Sequence, residues 1–158
     1  GASLCGGRSY AMLEEFFRKT VELTGAKCDN FYPAMAAALN TAPEPENVPG
    51  AVTTFQGTRR DPSLRGSISG IGADNFTPLH FMYAVMRGMA GELYGMFRSY
   101  LDAGGGAPAK MVGSGNGLRQ NPQLRRIFEH TFSCPLALSA NTEEAACGAA
   151  LYALRHSL

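Results

Sequence analysis

The stretch Met111-Val112-Gly113-Ser114-Gly115-Asn116-Gly117 decides the fold of this chain. A short apolar run ends in three glycines within five residues, which predicts a strand that leads into a tight turn. Asn121-Pro122 then predicts the start of a helix, because Asn is a good N-cap and proline suits the first helical position. The sequence therefore predicts a strand, a glycine turn and a helix in succession.

This succession is the arrangement with which α/β proteins hold nucleotides at the carboxyl ends of their strands. Glycine has no Cβ atom, so the backbone at these positions can lie directly against the flat face of a ligand. The spacing matches neither the Rossmann glycine pattern nor the P-loop with its Lys-Ser/Thr pair. An ordinary tight turn is the alternative interpretation, since glycine clusters also mark loops.

Composition limits the other classes of function. The 158 residues correspond to about one domain, and the net charge of +1 gives no electrostatic reason to expect nucleic acid or an acidic membrane as a partner. No apolar stretch approaches membrane-spanning length, and the first residues show no basic-then-apolar signal pattern. The four cysteines and three histidines lack metal-ligand spacing, so we expect reduced thiols in a cytoplasmic protein and assign no metal ligand.

Hydrophobic spacing predicts the element order α, α, β, β, α, β, α, β, α and an α/β domain with helices packed against a sheet. Thr77-Pro78 predicts the start of a long helix that reaches Leu101. Three glycines lie on this helix at three- to four-residue spacing, namely Gly88, Gly91 and Gly95. Glycine destabilises a helix, so we expect another backbone to approach closely there. The last helix, 143–156, is rich in alanine and is expected to pack tightly.

Five segments, in order along the chain, carry a resemblance to a known family. They are Ser3-Leu4-Cys5-Gly6-Gly7; Phe55-Gln56-Gly57-Thr58-Arg59 with Asp61-Pro62 and Arg65-Gly66; Ala84-Val85-Met86-Arg87-Gly88-Met89; Gly113-Ser114-Gly115-Asn116; and Glu144-Ala145-Ala146-Cys147-Gly148-Ala149-Ala150-Leu151. Together they resemble the carboxy-terminal domain of the FGGY carbohydrate kinases, in the actin-like ATPase superfamily. Cys5 stands where the family usually has Asn, and Ser114 and Asn116 stand where it usually has Gly and Ala.

The resemblance implies an actin-like ATPase (ribonuclease H-like) fold, with a mixed sheet flanked by helices, over residues 1–158. It implies the nucleotide-binding half of an enzyme that uses ATP and Mg²⁺ to phosphorylate a sugar hydroxyl. In this family the sugar is bound mainly by an amino-terminal domain, which also carries the phosphate motif and the catalytic base. Neither motif occurs here, so we assign no catalytic residue and expect this chain to be inactive by itself.

The resemblance also implies which residues contact ATP or ADP: Gly113, Ser114, Gly115, Asn116 and Asn121. Within the family, Gly-Ser-Gly-Asn followed by Arg119-Gln120-Asn121 is most similar to the sedoheptulokinases, which implies conversion of sedoheptulose to sedoheptulose 7-phosphate. Two alternatives stay open. One is a kinase for another sugar or polyol, such as xylulose, ribulose or glycerol. The other is a non-enzymatic, actin-like interaction module that uses the glycine loop only as a turn.

Overall fold

The computed structural model describes residue 3, residues 6–140 and residues 143–156. These residues form two compact units, which divide between Gly105 and Gly106. The elements, in chain order, are α1 (Gly6–Glu22), α2 (Tyr32–Thr41), β1 (Gly50–Val52), β2 (Ser67–Ser69), α3 (Pro78–Asp102), β3 (Met111–Gly113), α4 (Asn116–Gln120), α5 (Pro122–Phe132), β4 (Leu136–Leu138) and α6 (Glu144–His156). The α/β fold class is confirmed, and α4 is the element missing from the predicted order.

The long helix α3 organises the amino-terminal unit. It begins as predicted, with Thr77 as N-cap accepting a hydrogen bond from the His80 amide and proline at the next position. Its most buried residues include three methionines: Met82, Met86 and Met89. Flexible methionine side chains fill irregular space between elements. The helix therefore provides the packing surface for α1, α2 and β1.

Gly88 allows α3 to lie directly against β1. A Cβ atom at Gly88 would come within 2.6 Å of the Ala51 carbonyl oxygen, closer than such atoms can approach. β1 pairs antiparallel with β2, so this contact joins the helix to the hairpin. The prediction of a close approach is confirmed for Gly88. It is wrong for Gly91 and Gly95, where a Cβ atom would meet nothing within 4 Å among the described residues.

Helix α1 joins α2 to the same core through a buried carboxylate. Glu14 is buried, and its Oε1 accepts a hydrogen bond of 2.7 Å from the backbone amide of Phe31, the N-cap residue of α2. The first amides of a helix lack intrahelical acceptors, so this bond satisfies one polar group at the α2 entrance. The rings of Phe17 and Phe31 lie 6.0 Å apart beside it. Glu14 thus links α1 to the start of α2.

The carboxy-terminal unit contains a parallel pair, β3 and β4, with α5 as its main apolar helix. α5 buries Leu124, Ile127 and Phe128. The alanine-rich helix α6 differs from expectation, because residues 146–156 are all exposed and Cβ atoms at Gly148 would meet nothing within 4 Å of the described atoms. Cys147, which lies on this helix, is exposed as well. Leu4 and Cys5 of the first family segment lie outside the described residues.

Within the described ranges, none of the helices combines the length and the apolarity needed to cross a bilayer.

Candidate functional site

The glycine loop leaves the sheet at the carboxyl ends of two parallel strands. β3 and β4 pair from Met111↔Leu136 to Gly113↔Leu138. The ladder continues for one more bond, in which the Ser139 amide donates to the Gly113 carbonyl oxygen at 2.8 Å. In α/β proteins, ligands bind outside the carboxyl ends of such strands. The glycine loop, residues 114–117, whose last two residues begin α4, therefore occupies the edge of this sheet at which a ligand site is expected.

Gly113 supports the loop from inside the protein. It is buried, and a Cβ atom there would lie 2.9 Å from Leu118 Cδ1 and 2.9 Å from Leu136 Cδ2. The missing side chain makes room for Leu118, so that α4 can pack onto the strand pair. The space beside the Gly113 backbone is thus filled by the side chains of Leu118 and Leu136. Gly113 therefore contributes to the packing beneath the loop.

Gly115 is required by its backbone conformation. Its φ is +89° and its ψ is 156°, a region that is essentially restricted to glycine. It serves as N-cap of α4, with no side-chain hydrogen bond at that end. A Cβ atom built on Gly115 or Gly117 would meet nothing within 4 Å among the described residues. The outer surface of the loop is therefore open, and Ser114 and Asn116 are exposed on either side of Gly115.

Asn121 joins the two helices that follow the loop. It ends α4, where its backbone amide donates to the Gly117 carbonyl oxygen, and it is the N-cap of α5. Its Oδ1 accepts a hydrogen bond of 2.9 Å from the Leu124 amide, so the predicted helix cap is confirmed. Asn121 thus lies between α4 and α5, and its side chain is used by the second of these helices.

Two arginines that the sequence analysis gave no role hold α4 in place. Arg125 Nη1 donates to the carbonyl oxygens of Leu118 and Arg119, at 2.8 and 3.0 Å. Arg119 Nη2 donates to the Ser139 carbonyl oxygen at 3.0 Å. The signal available in the sequence was the pair of arginines on either side of the Asn121 cap. Their acceptors are backbone carbonyls, which a sequence pattern does not specify.

A separate groove of about 490 Å³ lies in the amino-terminal unit, between β1 and α3. Glu92 forms part of its wall and accepts a hydrogen bond of 2.8 Å from Thr53 Oγ1. Gly91 contributes open helix backbone beside this carboxylate. The groove was not predicted, because its two walls come from segments about 40 residues apart, 48–54 and 87–92. Thr53 is buried, so we interpret the hydrogen bond as part of the packing of α3 on β1.

A comparison with family models identifies the chain. Residues 1–157 match the model described as the FGGY family of carbohydrate kinases, C-terminal domain. The chain therefore belongs to this family, which confirms the resemblance at the family level. A search of curated proteins returned no significant match.

Similar solved structures agree with the fold. They include a xylulose kinase from Rhodospirillum rubrum (20% identity, TM-score 0.67, 85% of this chain and 26% of that one). A gluconate kinase from Lactobacillus acidophilus has 19% identity and a TM-score of 0.64, covering 84% of this chain and 26% of that one. A Brucella ovis protein described as a xyloylose kinase has 21% identity and a TM-score of 0.63, covering 83% and 26%. The chain thus spans about a quarter of the length of each, and the likeness establishes the actin-like fold of the carboxy-terminal domains of FGGY kinases.

Proposed function

We propose that this chain is the nucleotide-binding part of an ATP-dependent sugar kinase, and that the nucleoside lies against the backbone of residues 114–116. The observation that carries the proposal is the conformation and exposure of Gly115. It has a conformation that only glycine adopts readily, and its outer surface is open at the carboxyl edge of a parallel strand pair. Membership of a carbohydrate kinase family supports ATP as the ligand.

Each site residue then has a distinct part in binding. The bare backbone at Gly115 takes the flat face of the base or the ribose, and Gly113 supports that backbone through the packing beneath it. The exposed hydroxyl of Ser114 and the exposed amide of Asn116 supply hydrogen bonds to the nucleoside. Asn121 contacts the nucleotide in addition to capping α5. Such a site combines a flat surface with a few polar groups that fix orientation, as ligand sites generally do.

Magnesium is part of the proposal only through ATP. The described residues bring together no group of three His, Cys, Asp or Glu side chains that could hold a metal ion. These residues do not fit a metal site of their own, so we derive no step through Mg²⁺ and assign it no ligand. We propose that the sugar and the catalytic base belong to another domain of the kinase. This chain then contributes nucleotide binding and not proton transfer.

For the substrate we propose sedoheptulose, phosphorylated to sedoheptulose 7-phosphate in the cytoplasm. The proposal rests on the Gly-Ser-Gly-Asn sequence of the loop and the Arg119-Gln120-Asn121 sequence after it. Xylulose, ribulose and glycerol are the alternatives, and the similarity to a gluconate kinase adds gluconate to them. Phosphoryl transfer from ATP to a panel of these five compounds, using the intact protein, tests the choice. A preference for any compound other than sedoheptulose would overturn the substrate, and inactivity on all five would contradict the kinase.

Nucleotide binding itself is tested by adding ATP and Mg²⁺ while the amide resonances of Gly115 and Asn116 are followed by NMR. Ser114→Tyr places a ring over the open loop and should abolish the shifts. Arg126→Tyr, at an exposed position of α5, is the matched control and should leave them intact. If millimolar ATP shifts neither amide in the intact protein, the loop is only a turn. The actin-like interaction module would then be the better interpretation.

A further inference from the structure

The glycine loop is held by hydrogen bonds to its backbone carbonyls, while its outer surface stays open. Cβ atoms built on Gly115 and Gly117 would find open space, so no described side chain presses on the middle of the loop. Its amino-terminal end is fixed by the Ser139 amide, which donates to the Gly113 carbonyl oxygen. Its carboxy-terminal end continues into α4, which has only five residues. A helix this short is not stable by itself in water, so other contacts must hold it.

Arg125 supplies those contacts at the end of α4. The last carbonyls of a helix lack intrahelical donors, and the Leu118 and Arg119 carbonyl oxygens both accept from Arg125 Nη1. Hydrogen bonds from a charged donor are stronger than neutral ones. Since Arg125 lies on α5, whose apolar face is buried, the short helix is tied to a well-packed one.

Arg119 closes the arrangement on the other side. Its Nη2 donates to the Ser139 carbonyl oxygen at 3.0 Å, while its backbone amide donates to the Gly115 carbonyl oxygen at 3.2 Å. Ser139 is the residue whose amide binds Gly113. One arginine therefore links the middle of the loop to the residue that anchors its start. These hydrogen bonds therefore oppose movement of the Gly113 and Gly115 carbonyl groups.

We propose that Arg119 and Arg125 are positioning residues for nucleotide binding. They hold α4 so that the backbone of residues 114–116 already has its binding conformation before ATP arrives. This inference rests on the proposed function. Suppose that loss of either arginine reduces the fraction of protein with the binding conformation to about a tenth. The apparent Kd for ATP then rises about tenfold, because apparent affinity falls in proportion to that fraction.

The test compares Arg125→Met with Arg126→Met in the intact protein. Both variants remove a guanidinium from α5, but Arg126 is exposed and serves as the matched control. Isothermal titration calorimetry with ATP and Mg²⁺ gives Kd, and hydrogen exchange gives the protection of residues 113–119. We expect Arg125→Met to raise Kd about tenfold and to speed exchange in the loop, and Arg126→Met to change neither. Arg125→Lys, which keeps one charged donor, should restore part of the affinity.

The outcomes separate the two proposals. Absence of ATP binding in the unaltered protein would overturn the proposed function and this inference with it. If the unaltered protein binds ATP and Arg125→Met binds it equally well, only the positioning role of Arg125 is overturned. A lower melting temperature with unchanged Kd would identify Arg125 as structural and would also overturn the inference. Should Arg125→Met fail to fold, Arg119→Lys is judged by the same two measurements.

Discussion

Alanine substitutions at Gly115 and Gly117 test why the loop contains glycine. Replacing Gly115 by alanine adds a Cβ atom that meets no described atom within 4 Å apart from its chain neighbours, so crowding against the rest of the protein contributes no cost. The backbone, however, has φ of +89° and ψ of 156°, where a residue other than glycine costs about 1–3 kcal/mol. Gly117 lies inside α4 and is equally open, but its φ is not positive. Alanine there should stabilise the folded chain by about 0.4–1 kcal/mol.

The two variants should therefore differ by roughly 1.5–4 kcal/mol in the free energy of opening the loop. Hydrogen exchange measures this quantity at the Arg119 amide, which is protected by its bond to the Gly115 carbonyl oxygen. We expect Gly115→Ala to exchange at least tenfold faster than Gly117→Ala. Urea unfolding of the intact proteins gives an independent value. Equal exchange rates in both variants would refute the argument, because they would show that the loop adopts another conformation at no cost.

Three further predictions concern other parts of the chain. Gly88→Ala should destabilise the protein by about 1–3 kcal/mol in urea unfolding, because its Cβ atom would meet the Ala51 carbonyl oxygen; Gly91→Ala is the control and should be neutral or stabilising. Asn121→Ala should cost about 0.5–2 kcal/mol by the same assay, since α5 loses its N-cap bond, and no change would contradict the cap. Burial raises the pKa of Tyr10 from 10.0 to about 12, so folding stability should fall as the pH rises from about 10 to 12; Tyr10→Phe should remove part of that loss, and ultraviolet titration of the phenol checks the pKa.

The sequence predicted the parts of the fold that depend on local chemistry. Thr77 and Asn121 were identified as helix starts, because a polar cap followed by proline satisfies the first amides of a helix in any tertiary context. The β3 strand and the turn after it were also predicted from local sequence, because an apolar run ends there in closely spaced glycines. The short helix α4 was missed, because Gly115 provides no capping side chain and Gly117 weakens helical propensity. Its stability comes from Arg125, on the next helix, and no local pattern reveals that contact.

The packing of α6 was the other expectation that the sequence could not settle. Abundant alanine indicates that a helix can lie close to another surface, but it does not identify that surface. Residues 146–156 are exposed, including Leu151, Tyr152 and Leu154. Composition thus predicted the element correctly and its environment incorrectly.

The glycines show why the site needed a structure. Gly88 and Gly113 are required because neighbouring atoms occupy the space that a Cβ atom would fill, whereas Gly115 is required by its dihedral angles. Gly117 meets neither condition. The sequence does not distinguish these four glycines, although only Gly115 and Gly117 offer an open surface to a ligand. Glycine at position 117 lowers the stability of α4, so we expect that it is present because an open backbone there serves ligand binding. The glycine loop, residues 114–117, is therefore the part of the chain at which nucleotide binding should first be tested.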